Sequence, residues 1–316
     1  MKSMMTTASG DGTTDDTPFL QADLHKLSQS TEPTRLVLAR GIYRIRSPLT
    51  FTAPTVETAI DGDFAVITPS IQAHPAAGTL AALLRLNVPA GAGPFELRRL
   101  TLNGSGLPVM KYVAAVGLQI DGGSTAPVRV ESVLAYLCQI GFMFSRCDGF
   151  VVTCSRATAC KSVGWALVGG IWKSPIRLDS CAATGGHLHG LWCAPGAQAT
   201  VAGFHAETNG GWGIVLGSAA AVFSAAVQSP VAASGPPVHI IGGIFEDNDD
   251  GAIAVLGASS AKVDWPRLVP TGELPGASIQ IGGGGAVDVT LPFISSSPSP
   301  GSWNVVPEEW RAQWTA

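Results

Sequence analysis

The chain has 316 residues and a formal net charge of −4, and only 13% of its residues are charged, about half the ~25% of a typical soluble domain. Its 38 glycines and 22 prolines favour a structure with many turns and disfavour a helical bundle or a disordered acidic chain. No basic run is present to attract nucleic acid. Neutral or polyhydroxylated molecules remain candidate ligands.

The N-terminal segment does not look like a targeting sequence. Residues 1–5 lead into Thr, Ser, Gly and Asp and not into an apolar core, which indicates that no signal peptide is present. No stretch approaches the ~20 apolar residues of a membrane span. We predict synthesis in the cytoplasm, no membrane span, and a flexible lead over residues 1–10.

The next block, residues 11–51, contains a short helical pattern between two conspicuous strings. Asp16 or Thr17 is placed to cap a helix that has Pro18 in its first turn. The leucines at helical spacing share one face: Leu20, Leu24 and Leu27. An apolar helix face must cover something apolar, and the open end of a solenoid is such a surface.

The string GDGTTDDT, the helix containing Gln21, and the string LVLARGIYRIRSPLTF resemble the opening of the pectate-lyase-like right-handed parallel β-helices. That superfamily includes pectate lyases, rhamnogalacturonan-active enzymes, epimerases and many phage tailspikes. The resemblance covers residues 11–51 specifically and is only architectural afterwards. It implies structural roles in the cap and first turn for four residues: Asp11, Gly12, Asp15 and Asp16. A calcium loop is the alternative, although the DxDxDG order and its distal Glu are missing.

Residues 52–116 are irregular. Strand-like pieces occur at residues 65–67, 83–88 and 95–102, with loops around Pro75 and Gly106. We predict that these pieces form the first full coils.

A row of glycines then marks one position in successive turns. The glycines are Gly117, Gly141, Gly164, Gly190, Gly213 and Gly251, spaced 24, 23, 26, 23 and 38 residues apart, and each precedes an apolar stretch. A period of this length between turn residues indicates a β-solenoid. Together with the resemblance, it predicts an all-β, right-handed parallel β-helix with an N-terminal capping helix and coils over residues 52–294.

Aligning the coils on the glycines separates interior from exterior. Residues one and three positions after each glycine are predicted to fill the interior. Residues two positions after it face outward and are apolar: Met143, Ala166, Trp192, Val215 and Ile253. An uncovered stripe of this kind would be wet, so we predict that a neighbouring protomer of a trimer or other cyclic homo-oligomer covers it. Residues 218–237 of the same chain are the alternative cover.

The cysteines lie inside the repeat region and lack CxxC pairs: Cys138, Cys147, Cys154, Cys160, Cys181 and Cys193. We predict that they are small fillers of the coil interior.

Four residues invite a metal-site interpretation. His187 and His189 alternate along one strand, and His205 and Glu207 follow one coil later. Relative to their glycines, however, the two pairs are offset by about five residues, or ~16 Å along a strand. The sequence therefore predicts no metal site, and it points to no cofactor.

Acidic residues form a candidate catalytic group. Glu207, Asp247 and Asp249 lie near one another in successive coils, next to Glu246 and Asp250. Two carboxylates across a groove could hydrolyse a glycosidic bond, or one could assist a lyase. The alternative is that residues 246–251 form a solvated turn, with Asn209 and Asn248 as turn-ladder residues.

The column one position before each glycine reads Ile140, Val163, His189, Trp212 and Asp250. An indole flanked by polar groups suits a sugar, because the ring packs on the apolar sugar face and the polar groups reach its hydroxyls. We predict a carbohydrate-binding strip of His187, His189, Trp192, Trp212 and Asp250. Trp172 is a further candidate. The alternative for each Trp is a place in the core or at an interface.

Beyond the last glycine, residues 277–281 and 286–291 are predicted strands. A Ser/Pro linker and a Trp-rich tail follow over residues 295–316, and Trp310 and Trp314 share a face of a short helix.

No GxSxG, P-loop, Rossmann or HExxH motif is present to indicate another enzyme class. We predict a carbohydrate-binding spike or fibre component of a phage or phage-derived particle, located at the virion surface. The alternatives are a polysaccharide lyase or glycoside hydrolase, and a structural adaptor that contacts other particle proteins.

Overall fold

The protein is represented by a computed structural model. It describes residues 1–70, 81–106, 111–112, 115–123, 126–168, 174–217, 238–256, 260–264, 266–269, 279–282 and 286–290. The predictions for the Pro75 loop, Trp172, residues 218–237 and the tail at 295–316 lie outside these residues.

The described part consists of one α-helix and of β-strands that pair in parallel, except for one antiparallel pair of two-residue strands. The first coils contain β1 (Lys2–Met5), β2 (Asp11–Asp15), α1 (Thr17–Ser28), β3 (Thr34–Val37), β4 (Ile42–Ile45), β5 (Leu49–Thr52), β6 (Thr58–Pro69), β7 (Leu84–Val88) and β8 (Phe95–Asn103). The middle coils contain β9 (Ser105–Gly106), β10 (Lys111–Tyr112), β11 (Val116–Gly122), β12 (Val128–Glu131), β13 (Leu134–Tyr136), β14 (Ile140–Ser145), β15 (Val151–Thr153), β16 (Arg156–Thr158), β17 (Val163–Val168), β18 (Ile176–Asp179) and β19 (Ala182–Thr184). The last coils contain β20 (His189–Cys193), β21 (Ala199–Ala202), β22 (His205–Glu207), β23 (Trp212–Leu216), β24 (Val238–Ile241), β25 (Ile244–Glu246), β26 (Gly251–Leu256), β27 (Ser260–Asp264), β28 (Arg267–Val269), β29 (Ile279–Gly282) and β30 (Ala286–Thr290).

Parallel pairing between successive coils builds three faces. Sheet 1 is β5, β7, β11, β14, β17, β20, β23, β26 and β29. Sheet 2 is β1, β3, the first half of β6 and of β8, β12, β15, β18, β21, β24, β27 and β30, and sheet 3 is β2, β4, the second half of β6 and of β8, β13, β16, β19, β22, β25 and β28. Each coil passes from sheet 2 to sheet 3 to sheet 1. The predicted parallel β-helix with an N-terminal capping helix is confirmed.

The interior is a file of apolar side chains stacked coil on coil. Phe142 stacks on Trp165 of the next coil with ring centroids 3.9 Å apart. Residues one and three positions after the first five glycines are almost wholly buried, as predicted. Burying each such large apolar side chain stabilises the fold by about 1.5–3 kcal/mol.

Five of the six marked glycines line up, and the sixth is one residue out of register. Gly213 lies opposite Ala252, whereas Gly251 pairs with Trp212. A side chain at the aligned glycines would meet the next coil: a Cβ at Gly164 would lie 2.7 Å from the carbonyl oxygen of Gly190. Gly251 serves a different purpose, because its φ of 137° is a backbone conformation that favours glycine.

This shift changes the last coil of every predicted column. Ile253 and Val255 face the interior, whereas Ala254 takes the outward position predicted for Ile253. Gly251, and not Asp250, follows Trp212 in the column that was predicted to bind sugar.

The outward apolar stripe of sheet 1 is not wet. Ala166, Trp192, Val215 and Ala254 are buried in the single chain and form a second hydrophobic cluster, with Met143 packed against it. The premise that a single chain leaves this stripe wet is therefore wrong, and the stripe gives no reason to expect a covering protomer.

The N-terminal cap satisfies an open strand edge with a side chain. The Gln21 amide donates to the Thr50 carbonyl at 2.8 Å and accepts from the Thr50 N–H at 2.9 Å, so it pairs with β5 as a neighbouring strand would. The predicted apolar face of α1 is confirmed by the burial of its three leucines. Residues 1–10, predicted as a flexible lead, instead contribute β1, which pairs with β3.

The aspartates of the GDGTTDDT string hold the first turn together. Asp11 accepts the N–H groups of Thr13 and Thr14, each at 2.7 Å. Asp16 stands at the N-cap position of α1, but its side chain accepts from the N–H of Ser9 and does not cap the helix. No group of three or more His, Cys, Asp or Glu side chains in the described residues could hold a metal ion.

Five of the six cysteines are buried, as predicted, but Cys154 is exposed. Burial raises the pKa of the Cys160 and Cys181 thiols to about 12, so these groups stay protonated and unreactive. No helix in the described ranges is long and apolar enough to cross a bilayer.

Candidate functional site

The sequence-predicted acidic and aromatic residues meet around the corner between sheets 3 and 1. The corner site comprises His187, His189, Glu207, Trp212, Glu246, Asp247, Asp249 and Asp250, which come from three neighbouring coils. Each corner turns sharply because its first residue adopts a left-handed backbone, as Thr208 and Asp247 do with φ of 51° and 53°. Such residues cost of order 1 kcal/mol each outside glycine.

Glu207 and Glu246 lie directly opposite each other in neighbouring coils. They are register partners of β22 and β25, so their Cα atoms are about 4.8 Å apart. The residues just before them, Ala206 and Phe245, are buried inside, so both carboxylates point outward. Like charges at this spacing repel each other.

The two glutamates continue a polar file on the outer face of sheet 3. The polar file consists of Tyr136, Thr158, Thr184, Glu207 and Glu246, one residue per coil and all half-buried. The Thr158 and Thr184 hydroxyl oxygens are 3.4 Å apart. The file therefore offers hydroxyl and carboxylate groups at a regular spacing.

His205 lies beside the file. Its Nε2 is 3.6 Å from Glu207 Oε2, on the same strand and the same face. The imidazole is thus placed to restrict the position of the Glu207 carboxylate.

Asp247 and Asp249 do not join the two glutamates on the strand face. Asp247 is the left-handed corner residue, and Asp249 is exposed in the turn, where its N–H donates to the Asn209 carbonyl at 2.9 Å. Of the predicted catalytic residues, only Glu207 lies on the polar file. Its partner there is Glu246.

Around the corner, His189 and Trp212 are joined directly. The backbone N–H of Trp212 donates to His189 Nδ1 at 3.0 Å. Because Nδ1 is an acceptor, the proton of the neutral ring is on Nε2, where it is a donor for a ligand. Burial lowers the pKa of His189, and the nearby charge of Asp250 partly opposes that effect. The ring is therefore neutral at pH 7.

The other predicted sugar-contacting residues are placed differently. Trp192 is buried, and its indole N–H donates to the Gly217 carbonyl at 3.0 Å, so it is not on the strip. Asp250 is displaced from the column by the register shift and is exposed in the turn. His187 is exposed and lies two residues before His189 in the same corner.

Sequence reasoning missed Tyr136, Thr158 and Thr184. They end three-residue strands whose middle residues, Ala135, Ala157 and Ala183, are buried. Alternation about a buried alanine was the available signal. It was weak because each strand is so short.

No family model matches the sequence, and no curated protein matches it. Three solved structures are similar in fold. The A-module of the mannuronan C-5 epimerase AlgE6 of Azotobacter vinelandii has a TM-score of 0.58 at 18% identity, over 90% of this chain and 78% of that chain. The catalytic unit of a GH87 α-1,3-glucanase of Streptomyces thermodiastaticus has a TM-score of 0.53 at 15% identity, over 95% and 66%. ORF18 of Geobacillus virus E2 has a TM-score of 0.52 at 10% identity, over 93% and 62%, so the chain spans less than two thirds of these last two.

Proposed function

From the pectate-lyase-like right-handed parallel β-helix fold of this chain, we propose that it binds a polysaccharide at the corner site and along the polar file. The observation that carries the proposal is the register of the polar file, in which one outward polar side chain follows another in each successive coil. The names of two similar structures, a mannuronan epimerase and an α-1,3-glucanase, support a polysaccharide as the ligand class.

The spacing and chemistry of the file suit an extended glycan. The rise of about 4.8 Å per coil is close to the length of one pyranose unit, so a chain lying along the axis would meet one side chain per sugar. Threonine and tyrosine hydroxyls both donate and accept, as sugar hydroxyls do. Trp212 and the Nε2–H of His189 lie around the corner, within one coil of Glu207.

A glycan-binding screen with the full chain tests this function. Neutral and acidic cell-surface polysaccharides would be screened first, and affinity for the best ligand measured by calorimetry. Thr184→Val, which removes one hydroxyl at nearly constant volume, should weaken binding about five-fold, since a neutral hydrogen bond contributes about 1 kcal/mol. Thr200→Val, on the outer face of β21, is the matched control. Equal affinities of the two variants would contradict the proposed site.

The Glu207–Glu246 pair favours a second candidate, a glycoside hydrolase. Hydrolysis needs two carboxylates, about 5–5.5 Å apart for retention and about 6.5–9.5 Å for inversion. These are the two outward carboxylates that the described structure places in register on one face. Release of reducing ends that is lost in both Glu207→Gln and Glu246→Gln, but kept in Asp249→Asn, would support the enzyme. Unsaturated products would indicate a lyase instead.

A finer proposal concerns location. We propose that the chain is a surface component of a phage or phage-derived particle, which the fold likeness to a viral protein supports. Immunogold labelling of purified particles should place it at the surface.

Particles that assemble normally while the chain binds no glycan would favour the structural adaptor. The predicted homo-oligomer stays a prediction, which light scattering tests.

A further inference from the structure

The corner between sheets 2 and 3 is longer where β3 leads into β4 and within β6 than it is within β8. In β6, residues 62–64 separate Asp61 from Ala65, whereas in β8 Arg99 alone separates their partners Arg98 and Leu100. The corner between β3 and β4 has the longer form as well, because residues 38–41 lie opposite residues 62–65. The longer corner carries Phe64 outward, and 55% of its surface is exposed.

Two arginines flank the exposed ring. The guanidinium carbon of Arg40, from the coil before, is 5.7 Å from the ring centroid of Phe64, and that of Arg99, from the coil after, is 5.8 Å from it. We call Arg40, Phe64 and Arg99 the Arg–Phe stack. Each cation–π contact is favourable and helps to hold its guanidinium group against the ring.

A buried carboxylate fixes Arg99. Asp61, whose side chain is only 3% exposed, accepts from Arg99 Nε at 3.0 Å and from Arg99 Nη2 at 2.7 Å, and it also accepts from Arg98. Burial alone would raise the pKa of Asp61, but the bonds from Arg99, Arg98 and the Asp63 N–H hold that pKa below its ordinary value. The carboxylate therefore stays charged, and Arg99 loses little further freedom when a ligand binds.

The stack still has donors to offer. Arg40 has no carboxylate within ion-pair distance among the described residues. Arg99 Nη1 is 3.9 Å from Asp63 Oδ1, which is beyond hydrogen-bond distance. The exposed edge of an aromatic ring carries partial positive charge, so an anion that binds either guanidinium group beside the Phe64 ring meets a second favourable surface there.

The backbone here is strained. Asp63 and Phe64 both adopt left-handed conformations, with φ of 42° and 62°. Single left-handed residues turn other corners as well, whereas here two consecutive ones carry Phe64 outward. This unfavourable backbone conformation exposes the Phe64 ring beside the Arg40 and Arg99 guanidinium groups.

We propose that the Arg–Phe stack is a second, separate glycan site, which binds a carboxylate- or sulfate-bearing sugar of an acidic polysaccharide. A guanidinium group matches both anions through two parallel N–H donors. The stack lies at the corner between sheets 2 and 3, whereas the corner site lies between sheets 3 and 1 and carries carboxylates. The two sites therefore differ in the charge they accept.

Binding of polygalacturonate oligosaccharides and of sulfated dextran oligosaccharides to the full chain, measured by calorimetry, tests this site. Arg40→Gln should weaken binding about ten-fold, as expected for the loss of a charge-assisted contact. Phe64→Leu should weaken it by a similar factor, because it removes the ring that holds both guanidinium groups. Arg129→Gln, an exposed arginine of β12, gives the same change of net charge and should leave binding unchanged. Asp63→Asn should tighten binding, because it removes a competing carboxylate.

Sodium sulfate and monomeric galacturonate serve as the second arm. Tighter binding of the oligosaccharides than of the free anions would support a glycan site. Equal affinities would show that the stack binds a free anion and would overturn the assignment to a polysaccharide. Wild-type affinity in both Arg40→Gln and Phe64→Leu, an equal loss in Arg129→Gln, or no binding of any of these anions would overturn it. Gain of affinity in Asp63→Asn cannot result from misfolding. Glycan binding at the corner site should persist in Arg40→Gln, which separates this proposal from the proposed function.

Discussion

The side-chain amide nitrogen of Asn209 donates a 2.8 Å hydrogen bond to the side-chain oxygen of Asn248 in the next coil, and both side chains are buried. Asn248 in turn donates to the Ala206 carbonyl at 3.0 Å, and Asn209 donates to the Ala183 carbonyl at 3.2 Å. The pair satisfies backbone groups inside the corner that carries Glu207 and Glu246. Its contribution is therefore to the shape of the site and not to its chemistry.

Replacing Asn248 by Ala should destabilise the fold by about 2–3 kcal/mol, since removing one partner of a buried hydrogen bond costs about 1–3 kcal/mol for each bond lost. The Ala206 carbonyl and the Asn209 backbone N–H would both lose the partner that they have in this corner. Thermal unfolding measures the effect. Asp249→Ala, at the exposed neighbouring position, should leave the midpoint nearly unchanged, and equal losses in the two variants would refute this role.

The aligned glycines should tolerate no side chain. In Gly164→Ala the new Cβ would lie 2.7 Å from the Gly190 carbonyl oxygen and 2.9 Å from the Ala183 side chain, both of them rigid parts of the stack. We expect a loss of stability of about 1–3 kcal/mol, the usual cost of overpacking a core. Gly91→Ala, which meets nothing within 4 Å, is a useful comparison for φ strain alone, because its φ is 83°. A Gly164→Ala variant as stable as the wild type would show that the coils can separate at this point.

Gln21 should act as a substitute strand for the first turn of sheet 1. Gln21→Ala removes two hydrogen bonds to Thr50 and should cost about 1–2 kcal/mol, with the loss confined to the N-terminal coils, because each coil of a solenoid contacts only its neighbours. Hydrogen exchange should show faster exchange at Thr50 and in β5 and little change in β20. Gln29→Ala, just after α1, is the control; a uniform change along the chain would contradict a local cap.

The sequence could predict the coil but not its final register. The five aligned glycines are needed because the next coil passes too close for a side chain, and that requirement recurs with every turn. Gly251 is needed for its backbone angle, and a sequence pattern does not distinguish the two reasons. Because the two kinds of glycine were aligned as one, the sequence prediction placed Asp250 after Trp212, where the structure has Gly251.

The candidate site was only partly predictable for a related reason. Glu207, His189 and Trp212 stand out by residue type, whereas Thr158 and Thr184 acquire meaning only when their coils are stacked. Trp192 was misplaced because its outward position was read as exposed, although its ring is buried in a second apolar cluster. The Arg–Phe stack depends on a corner two residues longer than the one after it, which no periodicity in the sequence reveals.

His189 should make the stability of this corner depend on pH. Burial lowers its pKa below the ordinary value of 6.5, with Asp250 opposing the shift. As pH falls below 6.5, the unfolded chain takes up a proton at this histidine before the folded chain does, so the unfolded state binds more protons and stability declines. The contribution is complete above pH 6.5 and is lost as the pH falls towards the folded-state pKa. Protonation would also place a hydrogen on Nδ1 and abolish the bond from the Trp212 N–H.

The measurement is the unfolding midpoint between pH 7.5 and pH 5. In His189→Gln the amide oxygen can accept from the Trp212 N–H without titrating, so the variant should lose less stability on acidification than the wild type. His187→Gln, at an exposed position of the same corner, should keep the wild-type pH dependence because it leaves the half-buried His189 imidazole in place. If His189→Gln and the wild type lose stability in parallel on acidification, protonation of His189 does not destabilise this corner.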